Sequence, residues 1–429
     1  LYWFFSSYGF AFGLFLDTSR LIEEACAPSP LGHPSRPCPG LMYTIYFLIA
    51  YLNSQDGPEY VAQIVLQVGL MLSSTPGQTH PKTLVHAIQA QVLLANYFFL
   101  EHRTLEGKYH LGMAVSLVSS VGLYASARVE DEEKVNAFWM VYSMYSVWDP
   151  PCGAVEERKI DVPWPMDDLQ VGSSSSLFST TIPTCKTQIR IPGSWVVQPT
   201  VIRFLSGGTQ AGPSRSLTEM YSKACILFSR ATRIASAAAS IESKFKFDLF
   251  HGLQSLIVVL LPIAMSSSSK QQLVEARNHL DALIDNFTTH LPPVAAQGSE
   301  VQTVVLIHTL TYASTIQLAS TDVDAHPSIK SLAVARAAID LLQVFEQILV
   351  INPIFGILWG IIGRVLVNEI RRLCQSGPRA GRNQLVETER TLDLLLTTIQ
   401  GFTRGSSFSG LSFFLMLAVV PESNHFSSE

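Results

Sequence analysis

His86-Ala-Ile-Gln-Ala-Gln-Val-Leu-Leu-Ala-Asn-Tyr-Phe-Phe-Leu100 is the stretch on which the fold turns. Ile88, Val92, Ala95 and Phe99 recur at steps of three and four, which lines one face of a helix. Two more helical patterns follow before the chain reaches Pro165. Glu106-Gly107-Lys108 reads as an interruption, and Tyr109, Met113, Val118 and Val121 then recur at nearly helical spacing. Gly122, ahead of Leu123 and Tyr124, suits the stop of that second helix. The third opens on Glu130-Asp-Glu-Glu133, acids placed where a helix N-terminus favours negative charge. It runs through Asn136-Ala-Phe-Trp-Met-Val-Tyr142, and the prolines of Ile160-Asp-Val-Pro-Trp-Pro165 end the stretch.

Outward from this centre the same period repeats. Tyr8 to Ile22 is strongly apolar, Ala27–Gly40 is a Pro-rich loop, and Met42–Leu52 and Tyr60–Ser73 are helix candidates. Thr75–Pro81 is a loop leading back to the centre. Met166–Arg215 differs in composition, with a serine run at Ser173–Ser176 and frequent Pro, Gly and Thr. It reads as a long, partly disordered surface connection, with a short extended piece over Val196–Phe204. Helical spacing resumes with Leu217, Tyr221, Ala224, Phe228, Ala231 and Ile234. Leu273 to Phe287, Val304–Ala319, Ile329–Ile348, Pro353 to Leu373 and Gln384–Phe402 continue it. The expected fold is all-α, about a dozen helices in two packed halves. The boundaries are 1–165, a linker over 166–215, a second half over 216–402 and a tail over 403–429.

Composition excludes several functions. The 429 residues are 48% hydrophobic and 15% charged, with net charge −5 and no basic block, which argues against gripping nucleic acid directly. Mean hydropathy is +0.26, which raises the question of a membrane. The longest apolar runs, Leu256–Met265, Leu41–Leu52 and Leu411–Val420, fall short of the roughly 20 residues of a span. No membrane partner is expected, and Leu1-Tyr-Trp-Phe-Phe lacks the basic start of a signal peptide. The opening on Leu1 rather than Met reads as a fragment of a longer chain.

No cofactor or metal site is expected in this chain. Cys26, Cys38, Cys152, Cys185, Cys225 and Cys374 are scattered, with no Cys-x-x-Cys, and read as free thiols. Gly207 to Ser214 mimics a phosphate-binding loop, but Pro213 stands where the motif needs Lys, so a linker is the preferred reading. His102 and His110 flank the first turn and read as solvated histidines rather than a metal pair. Asn286-Phe-Thr288 matches a glycosylation sequon by chance. There is no Gly-x-Ser-x-Gly and no His-Glu-x-x-His, and no catalytic residues are assigned. Phe138, Trp139, Tyr142, Tyr145 and Trp148 read as core.

Gly122-Leu123-Tyr124, Phe138-Trp139 and Ile160-Asp161-Val162-Pro163-Trp164-Pro165 carry a resemblance. In this order they resemble the middle regulatory region of fungal zinc-cluster transcription factors. Asn136-Ala137-Phe138-Trp139 with Pro163-Trp164-Pro165 is similar to the variant common in mushroom-forming fungi. Tyr124 stands where that family usually has His, and Met144-Tyr145-Ser146 where it has Leu-Asp-Arg. Lys223-Ala224, Ile284 to Pro293 and Pro353 to Ile370 resemble its carboxy-terminal half. The resemblance implies a non-enzymatic regulatory domain in the nucleus. It implies DNA contact and zinc only through a six-cysteine module upstream of this chain. Gly122, Leu123, Phe138, Trp139, Asp161, Pro163, Trp164 and Pro165 would then be structural motif positions. A small-molecule effector or a coregulator protein, and a homodimer, are the partners of this reading. Because neither half carries enough charge to cover itself, the halves are expected to pack together; an effector would then bind in the seam, lined by the aromatics of Phe138–Trp148 and by Pro353–Trp359, the alternative being a purely structural seam with no ligand. The other reading is a free-standing helical ligand- or partner-binding protein with no DNA contact.

Overall fold

The computed structural model describes residues 5, 8–53, 82–123, 132–148, 160–165, 200–207, 216–251, 267–294, 300–321, 329–342, 352–375 and 382–404. The candidate helix Tyr60–Ser73, the apolar runs Leu256–Met265 and Leu411–Val420, most of the Gly207–Ser214 loop, and Cys152 and Cys185 lie outside them.

Twelve α-helices make up the described fold, and there is no strand among the described residues. In chain order they are α1 Thr18–Ala25, α2 Pro39–Asn53, α3 Thr83–Leu100, α4 Thr104–Ser120, α5 Glu132–Trp148 and α6 Thr200–Leu205. Then come α7 Leu217–His251, α8 Ser267–Thr289, α9 Val301–Ala319, α10 Ile329–Asp340, α11 Ile354–Gln375 and α12 Arg382–Arg404. One apolar cluster runs from Phe5 to Ile399, so both halves share a core.

Local chemistry explains the ends. Asp17 caps α1, its carboxylate accepting from the Arg20 amide at 2.7 Å. Pro39 opens α2, where a missing N–H costs nothing. The α3–α4 turn is Glu101-His102-Arg103, with His102 in the left-handed region at φ 59°. The sequence places a break at Glu106-Gly107-Lys108 instead, yet these residues lie inside α4. Gly107 is there for packing: a Cβ at that position would stand 2.5 Å from the Phe99 ring. Gly122, at φ 64°, ends the helix with its N–H on the Ser119 carbonyl at 3.1 Å.

The two arms of this hairpin are buried differently. Nearly every side chain of α3 is buried, against α2, α4 and α5. It is long and apolar enough to cross a bilayer, but its neighbours here are the chain's own helices. Its amides hold the segment ahead of α1. Gln89 Oε1 accepts from the Phe15 and Leu16 amides at 2.9 and 3.3 Å, and its Nε2 donates to the Gly13 carbonyl at 3.1 Å. Asn96 Nδ2 donates to the Phe12 carbonyl at 2.9 Å. These bonds satisfy backbone that would otherwise be buried without partners. By contrast, α4 buries Gly107, Leu111, Ala114 and Val118, not the expected stripe. Tyr109, Met113 and Val121 are exposed.

In the second half, α7 lies along α9, and α9 also touches α8, α10 and α11. Thr309, Thr311, Ser314 and Thr315 are buried in α9, each donating its hydroxyl to the carbonyl four residues back. Lys330 of α10 bridges Asp281 and Asp285 of α8. Glu369 of α11, buried, accepts from Arg372 of its own helix and from Gln384 of α12. The helix expected over Ile329–Ile348 is α through Asp340, followed by a tighter turn at 341–342, and residues 343–351 lie outside the described set.

Candidate functional site

The seam between the halves is built from α5, the strap 160–165, α6 and α7. Trp139 of α5 is fully buried, and its indole N–H donates to the Pro163 carbonyl at 2.6 Å. Trp164 stacks on Trp139 with ring centroids 4.3 Å apart. Phe138 meets Trp139 edge-on at 5.2 Å, and Tyr142 stacks on Phe138 at 5.8 Å. Indole and phenol rings bury large apolar area while keeping one polar atom that needs a partner, and Pro163 supplies it for Trp139.

α6 corrects the linker reading. The sequence predicts an extended piece over Val196–Phe204, but Thr200–Leu205 is a helix with Thr200 and Val201 buried. It pins the strap: Thr200 donates its amide to the Ile160 carbonyl at 3.0 Å and its hydroxyl to the Val162 carbonyl at 2.8 Å. Phe204 stands edge-on to Trp164 at 6.0 Å and to Phe287 of α8 at 6.5 Å. His279 of α8 donates through Nε2 to the Leu205 carbonyl at 2.7 Å.

A charged pair sits in this apolar setting. Lys223 of α7 pairs with Glu219 one turn earlier, and both are buried. The Lys223 ammonium lies 5.1 Å from the Trp164 ring centre and 5.5 Å from that of Phe204. A buried ion pair needs both partner and surroundings to offset desolvation, and the ring faces provide the second. Beside it, Ser143 of α5 donates to Ser222 of α7 at 3.1 Å, and Ser222 donates to the Thr218 carbonyl at 3.0 Å. Burial pushes the Cys225 thiol and the Tyr221 phenol well above their ordinary ranges, and pushes Tyr142 up to about 12. A thiol held protonated is the opposite of an activated nucleophile. Burial, and then the neighbouring Arg233 charge, lowers the Arg230 guanidinium. The Ser143–Ser222 bond, the Thr200 clasp on the strap and the Lys223 ammonium beside Trp164 and Phe204 therefore join α5, strap, α6 and α7 into one junction.

The structure brings Phe138, Trp139, Pro163 and Trp164 into one cluster. Pro165 is buried beside them in the strap, and Asp161 is exposed between buried Ile160 and Val162. Gly122 and Leu123 sit apart in sequence, at the C-terminal end of α4. The segment Pro353–Trp359, expected to line a pocket with Phe138–Trp148, opens α11, which packs on α9, α10 and α12. α5 packs instead on α3, α4 and α7. Glu219, Lys223, Thr200 and Phe204 were not singled out as site residues. An acid and a base four apart within an apolar helix was the available signal for the first two.

His102 lies in the α3–α4 turn and is half-buried, whereas His110 lies within α4 and is held by its neighbours. His110 donates through Nδ1 to Gln91 Oε1 at 2.7 Å and stacks on Phe98 with centroids 5.1 Å apart. Burial first, and then the Arg103 charge, pushes it down to about 4. Burial lowers His102 as well. Among the described residues, no three His, Cys, Asp or Glu side chains converge to hold a metal ion. No family model, no curated protein and no solved structure matches this chain.

Proposed function

We propose that this chain is the regulatory region of a fungal zinc-cluster transcription factor, acting on transcription in the nucleus. One contact supports the reading most: the Phe138-Trp139 and Pro163-Trp164 motifs, separate in sequence, touch through the Trp139–Pro163 hydrogen bond and the Trp139–Trp164 stack. A pair of motifs that serve one junction accounts for their order and spacing. DNA contact and zinc then belong to a six-cysteine module encoded upstream, because this chain has net charge −5 and no Cys-x-x-Cys. The mechanism is a population shift. A small-molecule effector or coregulator that binds one arrangement of the helical domain better than another holds or releases an activating surface.

The same absence of cysteine pairs and basic clusters favours a second reading, a helical ligand- or partner-binding protein with no DNA contact. The coding sequence directly upstream of the Leu1 codon separates the two. Six cysteines with Cys-x-x-Cys spacing among Lys and Arg, in the same frame, are expected on the first reading. An upstream reading frame without them leaves the second.

A further inference from the structure

α4 turns Gly107, Leu111, Ala114 and Val118 inward and leaves its opposite face open. Leu105, Tyr109 and Met113 on that face are 81%, 63% and 40% exposed. At steps of four they form one continuous ridge along the helix. The adjacent row, Gly112, Ser116 and Ser120, is small. A Cβ on Gly112 would meet nothing within 4 Å. Ser116 and Ser120 donate their hydroxyls to carbonyls of their own helix, Gly112 at 2.8 Å and Leu117 at 3.0 Å. The row is thus a shallow groove that asks for no polar partner. Charge on this face is sparse: Lys108, and an Arg103–Glu106 pair at one end whose members neutralise each other.

We propose that this face docks on the same face of a second copy, α4 against α4, antiparallel about a twofold axis near Gly112 and Met113. Self-pairing is favoured because ridge and groove occupy opposite ends of one helix. A half-turn lays Leu105 of one copy over Ser120 of the other, Tyr109 over Ser116, and Met113 over Gly112. Each large side chain then meets a small one, twice, as an isologous interface requires. Lys108 falls at the rim, where its stem covers apolar surface and its ammonium stays in water. One helix face is small beside the roughly 800 Å² per partner of a standard interface, so the dimer is weak and concentration-dependent.

Sedimentation of the full chain over about 1 to 100 µM, the range in which a weak interface is half-populated, tests this. A monomer–dimer equilibrium is expected, weakened at least about tenfold by Tyr109→Lys, since the variant would bring a charge into the centre of an apolar contact. Tyr109 is exposed, so the variant should keep its circular dichroism and unfolding midpoint. For the register, Cys26 and Cys374, which are exposed thiols, are replaced by Ser together with Cys152 and Cys185, leaving the buried Cys38 and Cys225. In that background Met113→Cys should oxidise to a covalent dimer, while Leu105→Cys and Ser120→Cys should cross-link only when mixed. A monomer at every concentration overturns the proposal, as does a dimer indifferent to Tyr109→Lys. A monomer whose Tyr109 ring resists a phenol-labelling reagent overturns it too, by showing that the chain covers the face itself.

Discussion

α3 and α4 are the two arms of one hairpin, and they solve opposite problems. α3 is buried almost all round, and its polar residues serve the backbone of a distant segment: Gln89 and Asn96 hold residues 12–16, and the Cys38 amide donates to His86 Nδ1 at 3.1 Å. α4 buries a narrow stripe, two of whose four members are Gly107 and Ala114, while Leu105, Tyr109 and Met113 face out. The lesson concerns size. Where two helices touch closely, small residues make the contact and large ones are displaced to the sides, so the apolar stripe and the buried stripe need not coincide.

Four measurements can break or sharpen that contrast. Leu93→Ala, in the centre of α3 and fully buried, should cost about 2–5 kcal/mol by urea denaturation. A loss under about 1 kcal/mol would place α3 outside the core. Gln89→Leu keeps the volume but strands the Phe15 and Leu16 amides, at about 1–3 kcal/mol for each buried group left unpaired. Protease sensitivity ahead of Thr18 should rise in that variant, and a neutral result would show that water replaces the amide.

His110 joins the two arms and gives a pH test. Its folded pKa, about 4, lies below the ordinary 6.5. Between those values the unfolded chain binds a proton that the folded chain refuses, so stability is full above about pH 6.5 and falls on acidification towards about 4. His110→Phe should flatten the slope of the unfolding midpoint in that window; an unchanged slope would assign it to other groups. Smallest is Leu105→Ser on the open face of α4, within about 0.5 kcal/mol for dilute protein.

The period of three and four made most of the helices legible, because α3, α7, α9 and α11 carry long apolar runs that fit no other element. The α4 face was not legible. Tyr109, Met113, Val118 and Val121 form a convincing stripe by hydropathy, yet among them Val118 is buried and the other three are exposed. The break at Gly107 was misplaced for the same reason: glycine suggests a turn, whereas here it admits the Phe99 ring. α6 was hidden because six residues, rich in β-branched and aromatic types, score as strand, and their helical state depends on strap carbonyls far away in sequence. At the seam, Trp139 was legible as core, but its partner Pro163 was legible only through the resemblance. No period or spacing announces a hydrogen bond from an indole to a proline carbonyl.

The clasp of Thr200 on Ile160 and Val162 also sets how freely the chain can be lengthened. It ties the two ends of the stretch between Pro165 and Thr200 to one another and to the core. Closing a stretch of chain costs entropy only as the logarithm of its length, about 0.6 kcal/mol for each doubling. The described ends at Pro165 and Thr200 are thus held together whatever length of chain joins them, so an engineer could graft a reporter domain between them while the helices on either side kept their registration. The position suits insertion in the way a hinge pin suits a door: what hangs from it can change size while the frame stays square.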